Sequence, residues 1–176
     1  MAATIERRGA FELRAAGGRR LEGYAATFNS PAQIGRFKEI IKPGAFRSSL
    51  LAGKDVLALV DHQPGQLLAR TSAGTLRLSE DAKGLKFEID VPATTLGNDI
   101  LALAESRNLG GMSFGFRVTD EAWPKGDMRE LRAVDLIEIS VVQAFPAYSA
   151  TEINARSAAA VGASLSRAQR YMETVR

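Results

Sequence analysis

A single histidine, His62, stands in the 176 residues of this chain, and there is no cysteine. Any chemistry that needs an imidazole base must use His62, because no other side chain has an ordinary pKa close to neutrality. A thiol nucleophile, a disulfide and a thiolate metal site are excluded, as is a zinc site built from two or three histidines. Hydroxyls are among the nucleophiles left, and one of them is oddly placed. In GGMSFGF, residues 110–116, a serine lies among three glycines and two phenylalanines where a buried strand opens. Flanking glycines forfeit packing and backbone entropy, and a buried hydroxyl needs a partner. Strand alternation places Ser113, Gly115 and Arg117 on one face and Phe114, Phe116 and Val118 on the other. The aromatic face is the core face. On the other, Gly115 leaves room beside the hydroxyl, which fits an exposed nucleophile and also fits a crowded barrel corner relieved by glycine.

Two further residues have the types that would activate such a serine. His62 closes VLALVDH, an apolar run ending in DHQPG, where it reads either as a capping or surface residue or as a general base. Glu138 lies inside LIEISVV, with Ile137, Ile139 and Val141 on one face and Glu138 and Ser140 on the other. A carboxylate in an apolar strand must be paired or hydrogen-bonded, so Glu138 is either a salt-bridge partner, of Arg117 or Arg132, or a catalytic group. A serine hydroxyl is a weak nucleophile until a base takes its proton, and the base works best when a third group fixes its tautomer. Ser113, His62 and Glu138 supply one of each. Glu88 and Asp90 offer a second arrangement, a carboxylate-based hydrolase, but read more simply as the solvated face of FEID.

Positioning these residues falls mostly to strands. RLEGYAATFN alternates as a strand, SPAQIG is a turn, and RFKEIIKPGAF is a short strand running into Pro43 and Gly44. FRSSLLAG is a brief helix closed by Gly53, and VLALV is a fully buried strand. LLART, TLRLSE and GLKFEIDV follow as closely spaced strands of an antiparallel meander, sandwich or barrel. In TTLGNDILALAESRNLGG the period changes: Leu96, Ile100, Leu103 and Ala104 share a helical face, Thr94 or Thr95 caps the start and Gly110 ends the helix. MSFGFRVTDEAW and MRELRAVDLIEISVV are strands flanking a WPKGDM turn, and from about Ser157 an Ala-, Ser- and Arg-rich tail reads as helix or extension.

At 45% hydrophobic residues the chain can bury one good core, and its formal charge of +3 is scattered rather than massed into a basic stripe. Nucleic acid is therefore not an expected partner. Neither is a membrane, since no run reaches the roughly 18 apolar residues of a spanning helix, and the first residues lack the apolar core of an export signal.

In order and spacing, GYAATFN, FKEIIKPGAF, ALVDHQP, LGGMSFGF and LIEISVVQAFPAYSAT resemble the prohead protease family of HK97-like tailed bacteriophages, over roughly residues 21–151. The resemblance implies an α+β fold like that of the herpesvirus assemblins, a small, mostly antiparallel β-barrel flanked by a few helices. It implies a serine endopeptidase with Ser113 as nucleophile, His62 as general base and Glu138 as the third member, where the herpesvirus enzymes use a second histidine. By the same analogy the oxyanion donors lie near residues 145–147. It implies no cofactor and no metal. The partners it implies are a major capsid protein with its scaffold-like region and a possible second copy of the chain, and the place of action is the assembling procapsid in the cytoplasm of the bacterial host. The expected organisation is an extension over 1–19, a protease domain over 20–155 and a helical or disordered tail over 156–176. The alternative from a different class is a non-catalytic β-barrel assembly factor that binds capsid or scaffold subunits.

Overall fold

The computed structural model describes residues 4–10, 12–15 and 18–144. Eleven strands and two α-helices make up these residues, with one 3₁₀ turn at Thr71–Ala73. In chain order they are β1 (Glu6–Ala10), β2 (Glu12–Ala15), β3 (Arg20–Thr27), β4 (Ala32–Ile34), β5 (Phe37–Ile41), α1 (Arg47–Leu51), β6 (Leu57–Val60), β7 (Gln63–Arg70), β8 (Leu76–Glu80), β9 (Gly84–Asp90), α2 (Thr95–Glu105), β10 (Gly111–Lys125) and β11 (Met128–Val142). The organising element is the long hairpin β10–β11, two 15-residue strands joined at Gly126 and Asp127.

One sheet runs β1-β10-β11-β5-β4, with β6 also on β11 and β7 on β6; the other runs β2-β3-β9-β8. The outer edge of β11 is divided. Its first part, Met128 to Leu131, pairs in parallel with β5, and its last part, Glu138 to Val141, pairs in parallel with β6. The remaining pairings are antiparallel. The expected small closed barrel is therefore not what the described residues form. Because β11 gives its edge to two strands in turn, the larger sheet branches there instead of curling back on itself, and two open sheets face one another.

Aromatic rings bridge the sheets. Phe46, at the start of α1, lies 6.2 Å from Phe28 at the end of β3 and 5.5 Å from Phe114 on β10, which stacks on Phe116 at 5.0 Å. With Leu21, Phe87, Ile89, Ile100 and Ile139 these rings make one buried core. Each such side chain contributes roughly 1.5–3 kcal/mol of transfer free energy. Helix α2 starts where expected, with the Thr94 hydroxyl accepting from the Gly97 amide at 3.1 Å, but it ends near Ser106, where Arg107 adopts a left-handed φ of 58°, rather than at Gly110.

Two further differences from the sequence reading are local. Part of SPAQIG is the short strand β4, paired with β5, and the 126–127 turn is tighter than WPKGDM because β10 continues to Lys125. The first nineteen residues, set apart above as an extension, contribute a strand to each sheet: β1 on the edge of β10 and β2 beside β3. The tail over 156–176 lies outside the described residues.

Strand β1 is anchored by a buried ionic cluster on the aromatic side. Glu39 of β5, only 1% exposed, accepts from Arg8 Nε at 2.5 Å and Nη2 at 2.9 Å and from Arg129 Nη1 at 3.0 Å. Glu6 accepts from both arginines at 2.7 Å, and Glu121 accepts from Arg129 at 2.6 Å. Burial works to raise the Glu6 pKa, but the hydrogen bonds and charges of Arg129 and Arg8 outweigh it and hold the carboxyl below its ordinary value.

Candidate active site

The register of β10 against β11 gathers the polar residues. Ser113 stands opposite Ser140 and Gly115 opposite Glu138, and directly opposed residues share a sheet face. The next pair is Phe116 with Leu136, so Ile137 is an extra residue in the ladder. That bulge resets the alternation of β11. Leu136 joins the core at 1% exposure and Ile137 turns partly outward, whereas simple alternation had put Ile137 on the apolar face.

His62 reaches this face from a tight hairpin. Val60 pairs with Gln63, leaving Asp61 and His62 as a two-residue loop with φ of 47° and 59°. Left-handed backbone at both positions is the pattern of the twisted two-residue hairpin, usually filled by Asn-Gly. Here neither residue is glycine, at a cost of roughly 1–2 kcal/mol per residue. The loop is held in place from β11. The Asp61 amide donates to the Val141 carbonyl at 2.9 Å, and the Asp61 carboxylate accepts from the Gln143 amide at 3.0 Å and side chain at 2.9 Å. The His62 amide donates to Ser140 Oγ at 2.8 Å, and its ring bonds Glu138 at 2.6 Å. Strain held by so many separate bonds is characteristic of a site where a side chain must be aimed.

The ring contact decides the tautomer. Ionised Glu138 can only accept, so the proton sits on Nδ1, which donates to Oε1, and the Nε2 lone pair is left as the basic position. Glu138 is 5% exposed, and among the described residues its Oε2 has no hydrogen-bond partner. The salt-bridge partner is neither Arg117 nor Arg132 but Arg7 of β1, whose Nε is 3.6 Å from Oε1. The room kept by Gly115 also has a definite occupant. A Cβ there would meet Glu138 Oε1 at 2.6 Å and Cγ at 2.9 Å, so the glycine makes space for the carboxylate that holds the histidine.

Ser113 shares this face, two residues along β10 from Gly115, but it is fully buried and its hydroxyl donates to the Arg8 carbonyl of β1 at 2.7 Å. Of the three residues singled out in the sequence, His62 and Glu138 are joined by a direct bond, while Ser113 lies on the same sheet face opposite Ser140, which holds the His62 amide, with its own hydroxyl bonded to Arg8 instead. Ser140, Asp61 and Arg7 were not singled out. Ser140 was legible, since it shares the face of Glu138 two residues on, while Asp61 and Arg7 depend on contacts across the fold. The segment expected to hold oxyanion donors, 145–147, lies outside the described residues. No group of three or more His, Asp or Glu side chains among the described residues could hold a metal ion.

Glu88 and Asp90, the other carboxylate pair, are bound by Arg77 at 3.3 and 2.7 Å. Hydrogen bonds from Arg77 draw both below their ordinary pKa values, Asp90 to about 2. Groups held ionised in this way lack the protonated partner that a glycosidase needs.

A serine, an oriented imidazole and a buried carboxylate on one sheet face are the parts of a serine hydrolase. The chain belongs to the caudovirus prohead serine protease family, whose model matches residues 9–164 of its 176. No curated protein and no solved structure matches the chain. Among the described residues no helix is long and apolar enough to cross a membrane.

Proposed function

We propose that this chain is the endopeptidase of prohead maturation, with Ser113 as nucleophile, His62 as general base and Glu138 as the group that orients His62. It trims the scaffold-like N-terminal region of a major capsid protein inside the assembling procapsid in the host cytoplasm, and it cuts itself. Family membership supports the capsid-maturation role. The observation that carries the residue roles is the 2.6 Å bond from His62 Nδ1 to Glu138 Oε1 on the face that holds Ser113. With its proton turned from the Arg8 carbonyl toward His62 Nε2, the Ser113 oxygen attacks the scissile carbonyl carbon, and Nε2 takes the proton. The tetrahedral intermediate collapses, the amine leaves with that proton, and water repeats the sequence on the acyl-enzyme. Glu138 steadies the imidazolium throughout.

The burial of Ser113 and its bond to Arg8 favour a second reading, a non-catalytic assembly factor that binds capsid subunits. Co-expression with the major capsid protein that it is proposed to trim separates the two. The protease reading expects a trimmed capsid protein with the unaltered chain and an untrimmed one with Ser113→Ala. Trimming that survives Ser113→Ala refutes it.

A further inference from the structure

The serine of a peptidase must meet a substrate peptide carbonyl, and Ser113 already meets one. The Arg8 carbonyl accepts its hydroxyl at 2.7 Å, and the residues around it, Glu6 to Ala10, run antiparallel along Phe116 to Met112 of β10. An extended peptide adding to a sheet edge beside the nucleophile is a common way for a peptide to be recognised, with main-chain bonds giving affinity and alternate side chains giving specificity. β1 is the outermost strand of its sheet, so its departure would free the edge of β10. Its side chains alternate as a bound peptide's do. Arg7 reaches the catalytic side, toward Glu138, while Arg8 reaches the buried Glu39 on the aromatic side and lies 5.5 Å from the Phe116 ring.

We propose that β1 occupies the substrate groove of this enzyme as a strand of the chain itself, and that a substrate takes its place with a basic residue seated on Glu39 just before the cleaved bond. The proposal rests on the protease reading above and gives it a substrate class. The bonding of Glu39, more than the net charge, favours a cation at that position. Glu6, Glu39 and Glu121 face Arg8 and Arg129, leaving the cluster one negative charge in excess, and the excess is unchanged when Glu6 and Arg8 depart together. Glu39 at 1% exposure then loses the guanidinium that gives it two of its bonds, a position in which a neutral side chain would leave a buried carboxylate short of partners. β1 is covalently attached and competes at the high effective concentration of a tethered segment, so an untethered peptide reaches the groove only against that competition.

The test uses the full chain carrying Ser113→Ala, which can bind but not cut, and a fluorescent ten-residue peptide copying residues 4–13. Adding Arg8→Ala to the chain is expected to tighten peptide binding at least tenfold, because the tethered competitor is weakened. Adding Glu39→Gln on top of Arg8→Ala, so that the tethered strand no longer draws on Glu39, is expected to weaken the peptide at least fivefold, yet to leave unchanged a peptide whose arginine at the Arg8 position is glutamine. Should Arg8→Ala fail to fold, hydrogen exchange on the Ser113→Ala chain alone decides. Excess peptide should deprotect β1 while β10 stays protected, and continued protection of β1 at millimolar peptide overturns the proposal. So does binding that is indifferent to the charge at Glu39. These readouts need no catalysis: Ser113-dependent trimming without them sinks the groove assignment alone, whereas β1 displacement without trimming sinks the protease reading alone.

Discussion

Two buried carboxylates lie on opposite sides of the ribbon formed by β1, β10 and β11, and they are treated differently. Glu39 is saturated by guanidinium groups of Arg8 and Arg129. Glu138, at 5% exposure, holds one imidazole through Oε1, has Arg7 at 3.6 Å and leaves Oε2 without a hydrogen-bond partner among the described residues. A saturated buried charge joins strands. A buried charge bonded to a single oriented imidazole suits a group that steadies an imidazolium, the role proposed for Glu138. The contrast is what the proposed roles require, with Glu39 serving cohesion and cation recognition and Glu138 holding the proposed base.

The sharpest way to break the contrast is to neutralise each carboxylate. Glu138→Gln keeps the shape but reverses the tautomer preference of His62, and capsid trimming should fall by about 10²–10⁴-fold with little change in thermal midpoint. Glu39→Ala should do the reverse in stability, costing about 3–5 kcal/mol in denaturant unfolding, because two buried guanidiniums lose the most buried of the carboxylates they share. If the two variants lose stability equally and Glu138→Gln still trims, the distinction is wrong.

Gly115→Ala acts more locally. The new methyl would stand 2.6 Å from Glu138 Oε1, so the carboxylate must shift away from His62. We expect trimming to fall about tenfold or more, with a stability cost of about 1–3 kcal/mol typical of overpacking. Restoration of trimming in a Gly115→Ala, Glu138→Asp double variant, whose shorter carboxylate clears the methyl, would show that Gly115 serves the carboxylate and not the substrate.

The smallest effect concerns pH. The folded-state pKa of Glu6 lies below its ordinary value of 4.5, so its contribution to holding β1 is present above about pH 4.5 and is lost as the pH falls through the lowered value. Amide protection of β1 should therefore fall relative to that of β9 on acidification from pH 6 to pH 3.5, and Glu6→Gln should remove the dependence. Equal loss from both strands would mean that β1 has no separate acid sensitivity.

How much of this was legible depends on whether the cause was local. Most strands from β3 onward, the brief α1 and the Thr94 start of α2 follow from alternation, helical spacing and capping, whereas β1, β2 and β4 do not. The Ser113 and Gly115 face was legible for the same reason, and the lone histidine reduced the choice of base to His62. The occupant of the Gly115 space was not legible, because it depends on the register of β10 against β11. Nor was the bulge at Ile137, which changes which of two adjacent apolar residues is buried without leaving a glycine or proline to mark it. The closed barrel failed on a long-range fact, the division of the β11 edge between β5 and β6. The roles of Arg7 and Arg8 were hidden by distance along the chain, since Arg8 lies 105 residues from the serine it touches.

The central claim is that His62, held by Glu138, activates Ser113. The most direct measurement is peptide mapping by mass spectrometry after a fluorophosphonate treatment of the trimming-competent protein. The account predicts a phosphonyl adduct on Ser113, formed in parallel with loss of trimming, and strongly slowed in both His62→Ala and Glu138→Gln. An adduct on a different residue, or trimming that continues unchanged with Ser113 unlabelled, would contradict it.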